Sequence, residues 1–127
     1  MIKLITYPDL IYNKSHKLML FCASDELKIR VQEQLFPCAK EELQIYLVEP
    51  TADEEYIKWV MGAFAICDIV LADADNVSET FKNIFHYMLA YQKTFYLTKG
   101  NSSVYNMLSA NRIHDFEFIK NKIQEIV

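Results

Sequence analysis

The sequence predicts an α/β fold, a three-layer sandwich with helices on both faces of a mainly parallel five-stranded sheet. Two observations carry that expectation. From residue 17 onward, short runs rich in β-branched and aromatic residues alternate with longer segments of helical periodicity. Right-handed crossovers between parallel strands then place the intervening helices on both faces of the sheet. The result is an architecture of the flavodoxin or Rossmann-like kind, with its five main strands in the order 2-1-3-4-5. A chain of 127 residues is long enough to bury a core without disulfides or metals, so one domain is expected over residues 1–127.

The opening stretch IKLITYPDLIY alternates weakly and contains Pro8. It is expected to form an extra strand at an edge of the sheet, or a hairpin with the strand after it. Lys17–Ala23 (KLMLFCA) reads as the first main strand, buried on both faces. Ser24 or Asp25 can cap the helix that follows, in which Leu27, Val31 and Leu35 recur every fourth position until Pro37 ends it. Leu43–Val48 is the second strand. Thr51 and Glu54 then have the spacing of a capping box for a helix reaching Ile66, with Ile57, Val60, Met61 and Phe64 as its buried stripe.

Ile69–Ala72 makes the third strand, and Ser78 caps a helix whose Phe81, Ile84, Phe85, Met88 and Leu89 share one face. Glu79, Asn83 and His86 fall on the opposite, polar side. Thr94–Thr98 is the fourth strand. A short helix over Val104–Ser109 follows KGNSS, Arg112–His114 forms the fifth strand, and a terminal helix carries Phe116, Ile119, Ile123 and Ile126 on one stripe.

Composition removes several classes of function. A net charge of −4 lacks the positive field that binding to bare nucleic acid or anionic membrane requires. No signal peptide opens the chain and no apolar run is long enough to span a bilayer, so a cytoplasmic protein is expected. With only Gly62 and Gly100, the chain has neither a P-loop nor a dinucleotide fingerprint, and no cofactor is expected. Cys22, Cys38 and Cys67 are widely spaced among apolar neighbours, which suits reduced packing thiols. His16 and His114 are far apart, and no short Cys or His pair predicts a metal. Abundant Lys, Ile, Asn and Tyr hint at an A+T-rich genome such as that of a bacteriophage.

Ligands of open parallel sheets sit beyond the carboxyl ends of the strands, near the point where strand order reverses. That rule selects Ser24 and Asp25 after the first main strand, and Asp73, Asp75 and Asn76 after the third, with Lys99–Ser103 flanking them. The Asp73–Asp75 pair resembles the magnesium-binding pair of toprim domains. FCASDE, after the first strand, lacks the glutamate in a glycine-containing turn that those domains use. The alternative is an acidic loop whose side chains satisfy backbone N–H groups. Were Asp25, Asp73 and Asp75 to converge, they would repel phosphate and favour a neutral nucleoside or sugar.

YIKWVMGAFAICDIVLADADN, followed by HYMLAYQKTFYL, resembles the middle of the nucleoside 2-deoxyribosyltransferase-like family over residues 56 to 98. In that family a helix leads into an apolar strand ending in Ala and an acidic loop; a second helix then ends A-x-G-K, matched here by Ala90, Tyr91, Gln92 and Lys93. The resemblance implies a glutamate nucleophile on the second of these helices, with loop carboxylates holding base and sugar. Counting back from Lys93 places Ile84 or Asn83 at the nucleophile position, and Glu79, the nearest glutamate, lies a turn earlier.

The eight tyrosines exceed what a core of this size buries comfortably and suit an interface. Together these features lead to the expectation of a non-catalytic, degenerate Rossmann-like protein that binds protein partners, as a homo-oligomer or within a viral or host complex. The competing expectation is a protein that binds nucleosides or nucleotide derivatives, or an N-glycosidase or deoxyribosyltransferase-like enzyme, using Asp25, Asp73, Asp75 and Glu79.

Overall fold

The computed structural model describes residues 2–38, 42–51, 53–73, 79–91, 93–98, 113–114 and 116–126. Six strands lie in one sheet: β1 (Ile2–Ile5), β2 (His16–Phe21), β3 (Leu43–Val48), β4 (Ile69–Asp73), β5 (Thr94–Thr98) and β6 (Ile113–His114). The described helices are α1 (Asp25–Gln34), α2 (Glu54–Ile66), α3 (Glu79–Leu89) and α4 (Phe116–Ile126). The strand order is β1-β3-β2-β4-β5-β6 and every pairing is parallel. Without β1 the order is the 2-1-3-4-5 arrangement that the sequence predicts.

Alternation along each strand divides the core in two. Leu18 and Leu20 of β2, Leu43 and Ile45 of β3, and Ile69 and Leu71 of β4 pack against Leu27, Val31, Phe116, Ile119 and Ile123 of α1 and α4. On the other face Met19, Phe21, Tyr46, Val48, Val70 and Ala72 meet α2 and α3. Phe21 stacks on Phe81 and Phe85 at centroid distances of 5.6 and 5.3 Å, which seats α3 over β2. With both faces covered, the central strands carry apolar residues at nearly every position.

β1 settles the choice left open for the N-terminal stretch. It pairs in parallel with β3, from Ile2 opposite Leu43 to Ile5 opposite Tyr46, so it is an edge strand and makes no hairpin with β2. The chain returns to β2 through residues 6–15 without a helix. That crossover lies against α2, where Leu10 and Ile11 join the core, Trp59 Nε1 donates to the Asp9 carbonyl at 2.7 Å, and the Ile11 amide donates to Tyr46 Oη at 2.9 Å.

The crossover also explains a shift in the buried stripe of α2. Trp59, Val60, Ala63 and Phe64 are buried, whereas the expected Ile57 and Met61 are only half-buried. A layer over the Trp59 side of the helix turns the covered arc toward it. The cap of α2 differs as well: Asp53, not Thr51, accepts from the amides of Glu55 and Tyr56 at 2.8 and 3.2 Å. At α1 the cap is Ser24, whose Oγ accepts from the Leu27 amide at 3.2 Å. Pro37 lies in a short 3-10 turn, Phe36–Cys38, after α1 has ended at Gln34.

On α3, Phe81, Phe85 and Met88 are buried, and Ile84 and Leu89 pack against the same core. His86 is half-buried, with Nε2 shielded from solvent and without a hydrogen-bond partner among the described residues, where the sequence predicts an exposed side chain. The expected cap at Ser78, the helix over 104–109 and Arg112 lie outside the described residues. No helix among the described residues is long and apolar enough to cross a membrane.

Candidate functional site

The reversal of strand order falls between β2 and β4, and the β2 end of it is shaped by Cys22. At φ 53°, Cys22 occupies the left-handed region that side-chain-bearing residues avoid at a cost of about 1–2 kcal/mol. Its amide donates to the Val48 carbonyl at 2.8 Å, and the chain then turns sharply into α1. The thiol is buried, and desolvation pushes its pKa up to about 12, so it has no nucleophilic character at neutral pH.

This turn brings two of the predicted residues together. The Ser24 amide donates to Asp73 Oδ2 at 2.7 Å, a charge-assisted bond between residues 49 positions apart. Ser24 therefore contributes an amide to Asp73 and a hydroxyl to the cap of α1, and the amide that Asp73 engages is long-range and not one of its own loop. Asp25 is exposed in the first turn of α1, where an anion complements the helix dipole. Asp75, Asn76 and Lys99–Ser103 lie outside the described residues; Glu79 is the first residue of α3.

Beside Asp73 is a recess of about 100 Å³, lined by Glu26, Leu27, Arg30 and Asp73. Arg30 is the residue that sequence reasoning missed. Its guanidinium lies 4.1 Å from the centroid of Phe116 and donates to Tyr96 Oη at 3.1 Å. It brings a positive charge to the Asp73 recess, so the site is of mixed sign and not purely acidic. Its helical register next to Leu27 placed it near the buried stripe, but Tyr96 and Phe116 are distant in sequence and no local pattern announces them.

A second, larger cavity of about 390 Å³ opens at the carboxyl ends of β1 and β3, lined by Thr6, Tyr7, Leu47, Glu49, Thr51 and Tyr56. Tyr7 meets Tyr56 at 5.3 Å and Trp59 edge-on at 5.9 Å. Tyr56 Oη accepts from the Glu49 amide at 2.7 Å, and burial is the main cause of the raised pKa of its phenol. Glu49 Oε1 pairs with Lys28 at 2.8 Å, and that hydrogen bond is the main reason the Lys28 pKa lies above its ordinary value.

Lys93, just before β5, works at the other end of the strands. Its ammonium donates to the carbonyls of Phe64 and Cys67, the latter at 2.8 Å, and lies 4.4 Å from the Phe64 ring centroid. It thus closes the carboxyl terminus of α2, where a cation offsets the helix dipole. Burial lowers its pKa. Asn83 is exposed and Ile84 packs on the core, so these two positions of α3 present an amide and an alkyl group.

Among the described residues no group of three His, Cys, Asp or Glu side chains could hold a metal ion. No family model, curated protein or solved structure matches the chain.

Proposed function

We propose that the chain is a non-catalytic α/β protein that acts through protein–protein contact, self-association included. The observation that carries this reading is the engagement of Asp73: at the reversal of strand order its Oδ2 accepts from the Ser24 amide. Asn83 and Ile84 on α3 provide no nucleophile for glycosyl transfer. The surface supplies what recognition of a protein needs. Tyr87 on α3 and Tyr91 in the turn after it are exposed, packed edge to face at 5.2 Å with their hydroxyls hydrogen-bonded to each other. Such pre-ordered tyrosines offer apolar area with a polar tip at small entropic cost.

Size-exclusion chromatography with light scattering, repeated after Tyr87→Ser and Tyr91→Ser, tests the proposal for self-association. A mass above that of one chain, reduced by the substitutions, is expected; a monomer at high concentration that captures no partner by cross-linking would refute it. A competing nucleoside-binding reading draws on the mixed charge at Arg30 and Asp73. Release of free base from deoxynucleosides would favour a catalytic form of that reading over ours.

A further inference from the structure

The cavity between β1 and β3 has a topological origin. β1 ends at Ile5, opposite Tyr46, whereas β3 continues through Leu47 and Val48 with pairing only to β2. The chain leaves β1 through a turn in which the Asp9 amide donates to the Thr6 carbonyl at 3.0 Å, and it crosses toward α2 instead of extending along β3. A notch therefore remains where a longer β1 would have run. Leu47 lines this notch together with the rings of Tyr7 and Tyr56.

We propose that this notch is a small-molecule site for a neutral, planar aromatic compound that carries an N–H or O–H donor. Its volume, about 390 Å³, falls within the roughly 300–1,000 Å³ range of ligand pockets. Two tyrosine rings and Leu47 supply apolar walls for a flat ring. Polar groups fix its orientation. Glu49 lines the notch and uses Oε1 for Lys28, which leaves Oε2 as the carboxylate oxygen that would accept from the ligand. Tyr56 Oη already accepts from the Glu49 amide, which leaves its own proton to donate.

Charge selects the class further. The Lys28 ammonium balances the Glu49 carboxylate, so neither a net anion nor a net cation gains from entering. A donor on a neutral ring does gain, because a hydrogen bond to a charged acceptor is stronger than one between neutral groups. This inference is independent of the proposed protein–protein function, which uses α3 on another part of the surface.

Trp59 is the chain's one tryptophan, and its ring edge meets Tyr7. Its indole N–H gives a single reporter in ¹H–¹⁵N correlation spectra. Phenol, titrated through the millimolar range, is expected to shift that resonance saturably, together with the amides of Tyr7, Glu49 and Tyr56. Anisole, of similar shape but without a donor, should bind about 10-fold more weakly, as loss of a charge-assisted hydrogen bond implies; benzoate should bind no better than anisole. Glu49→Gln should remove most of the preference for phenol over anisole. Thr51→Phe, at an exposed position, should fill the notch and abolish the saturable shift while leaving the dispersion of the spectrum intact. Equal affinity for phenol and anisole, saturable binding that survives Thr51→Phe, or no saturable shift with any probe would each overturn the assignment.

Discussion

Replacing Asp73 with Ala removes the acceptor that joins the end of β4 to the start of α1. The bond is short, 2.7 Å, and its acceptor is charged, the class of hydrogen bond that contributes about 1.5–3 kcal/mol. Asp73 and Ser24 are both half-buried, so water can partly replace the lost partner and the lower half of that range applies. A carboxylate near the first turn of α1 adds about 0.3–1 kcal/mol through the helix dipole. Together these give a destabilisation of about 2 kcal/mol for Asp73→Ala. Asp73→Asn keeps a neutral acceptor and should cost about 1 kcal/mol. Urea unfolding followed by the fluorescence of Trp59, which is only 5% exposed in the native state, measures both. If Asp73→Ala cost less than about 0.5 kcal/mol, or raised stability as removal of a ligand-dedicated carboxylate commonly does, the structural reading of this residue would fail.

Other tests address separate parts of the fold. Asp53→Ala should cost about 1 kcal/mol as the loss of an N-cap, whereas Thr51→Ala should change stability by less than about 0.5 kcal/mol; urea unfolding separates the two. Burial raises the thiol pKa values of Cys22 and Cys67 from 9.0 to about 12, so the folded state keeps protons that the unfolded chain loses. Stability should therefore be fully retained below pH 9 and fall between pH 9 and about 12, each thiol contributing to the decline. A Cys22→Ala, Cys67→Ala variant should show a shallower decline. Gly62→Ala gains helix propensity of about 1 kcal/mol, and part of it is offset by Leu10 Cδ1, which would sit 3.2 Å from the new Cβ. A net gain of about 0.5 kcal/mol is expected, while Gly62→Val should destabilise the protein.

What could be read in advance follows from how local each determinant is. The apolar run Leu43–Val48 is bounded by polar residues and becomes β3 over those same residues. The recurrence of Leu27, Val31 and Leu35 at every fourth position marks the buried side of α1 and of its C-cap, all three packing in one cluster with sheet residues. α2 is covered from two directions, by the sheet and by the residues after β1, and periodicity alone could not show the second; hence Trp59 and Ala63 in place of Ile57 and Met61. Choosing Thr51 as cap followed a spacing rule that Asp53, nearer to the first amides, satisfies better. At the candidate site, the strand-end rule located Ser24 and Asp73, yet it could not reveal that they bond to each other. That contact depends on the left-handed backbone at Cys22, a conformation with no sequence signal in a non-glycine residue. The roles of Arg30 and Lys93 are likewise written in partners 66 and 26 to 29 positions away.

The helix-free crossover between β1 and β2 has a consequence for the order in which the molecule opens. β1 is bonded to one neighbour, β3, and residues 6–15 are tied to the rest of the protein at Asp9 and Ile11 and, through Lys17 and Glu42, at Asn13 and Ser15. The other strands are held to one another independently of this segment. Residues 2–15 are therefore expected to open before the remaining strands, which pair with one another without them. Their departure would leave the outer edge of β3 as a vacant acceptor for a strand of matching pattern, and the first strand of another copy is such a strand. In that sense the outermost strand is also the one most readily exchanged between molecules, with the ring of Tyr46 and the indole of Trp59 uncovered while the edge is vacant.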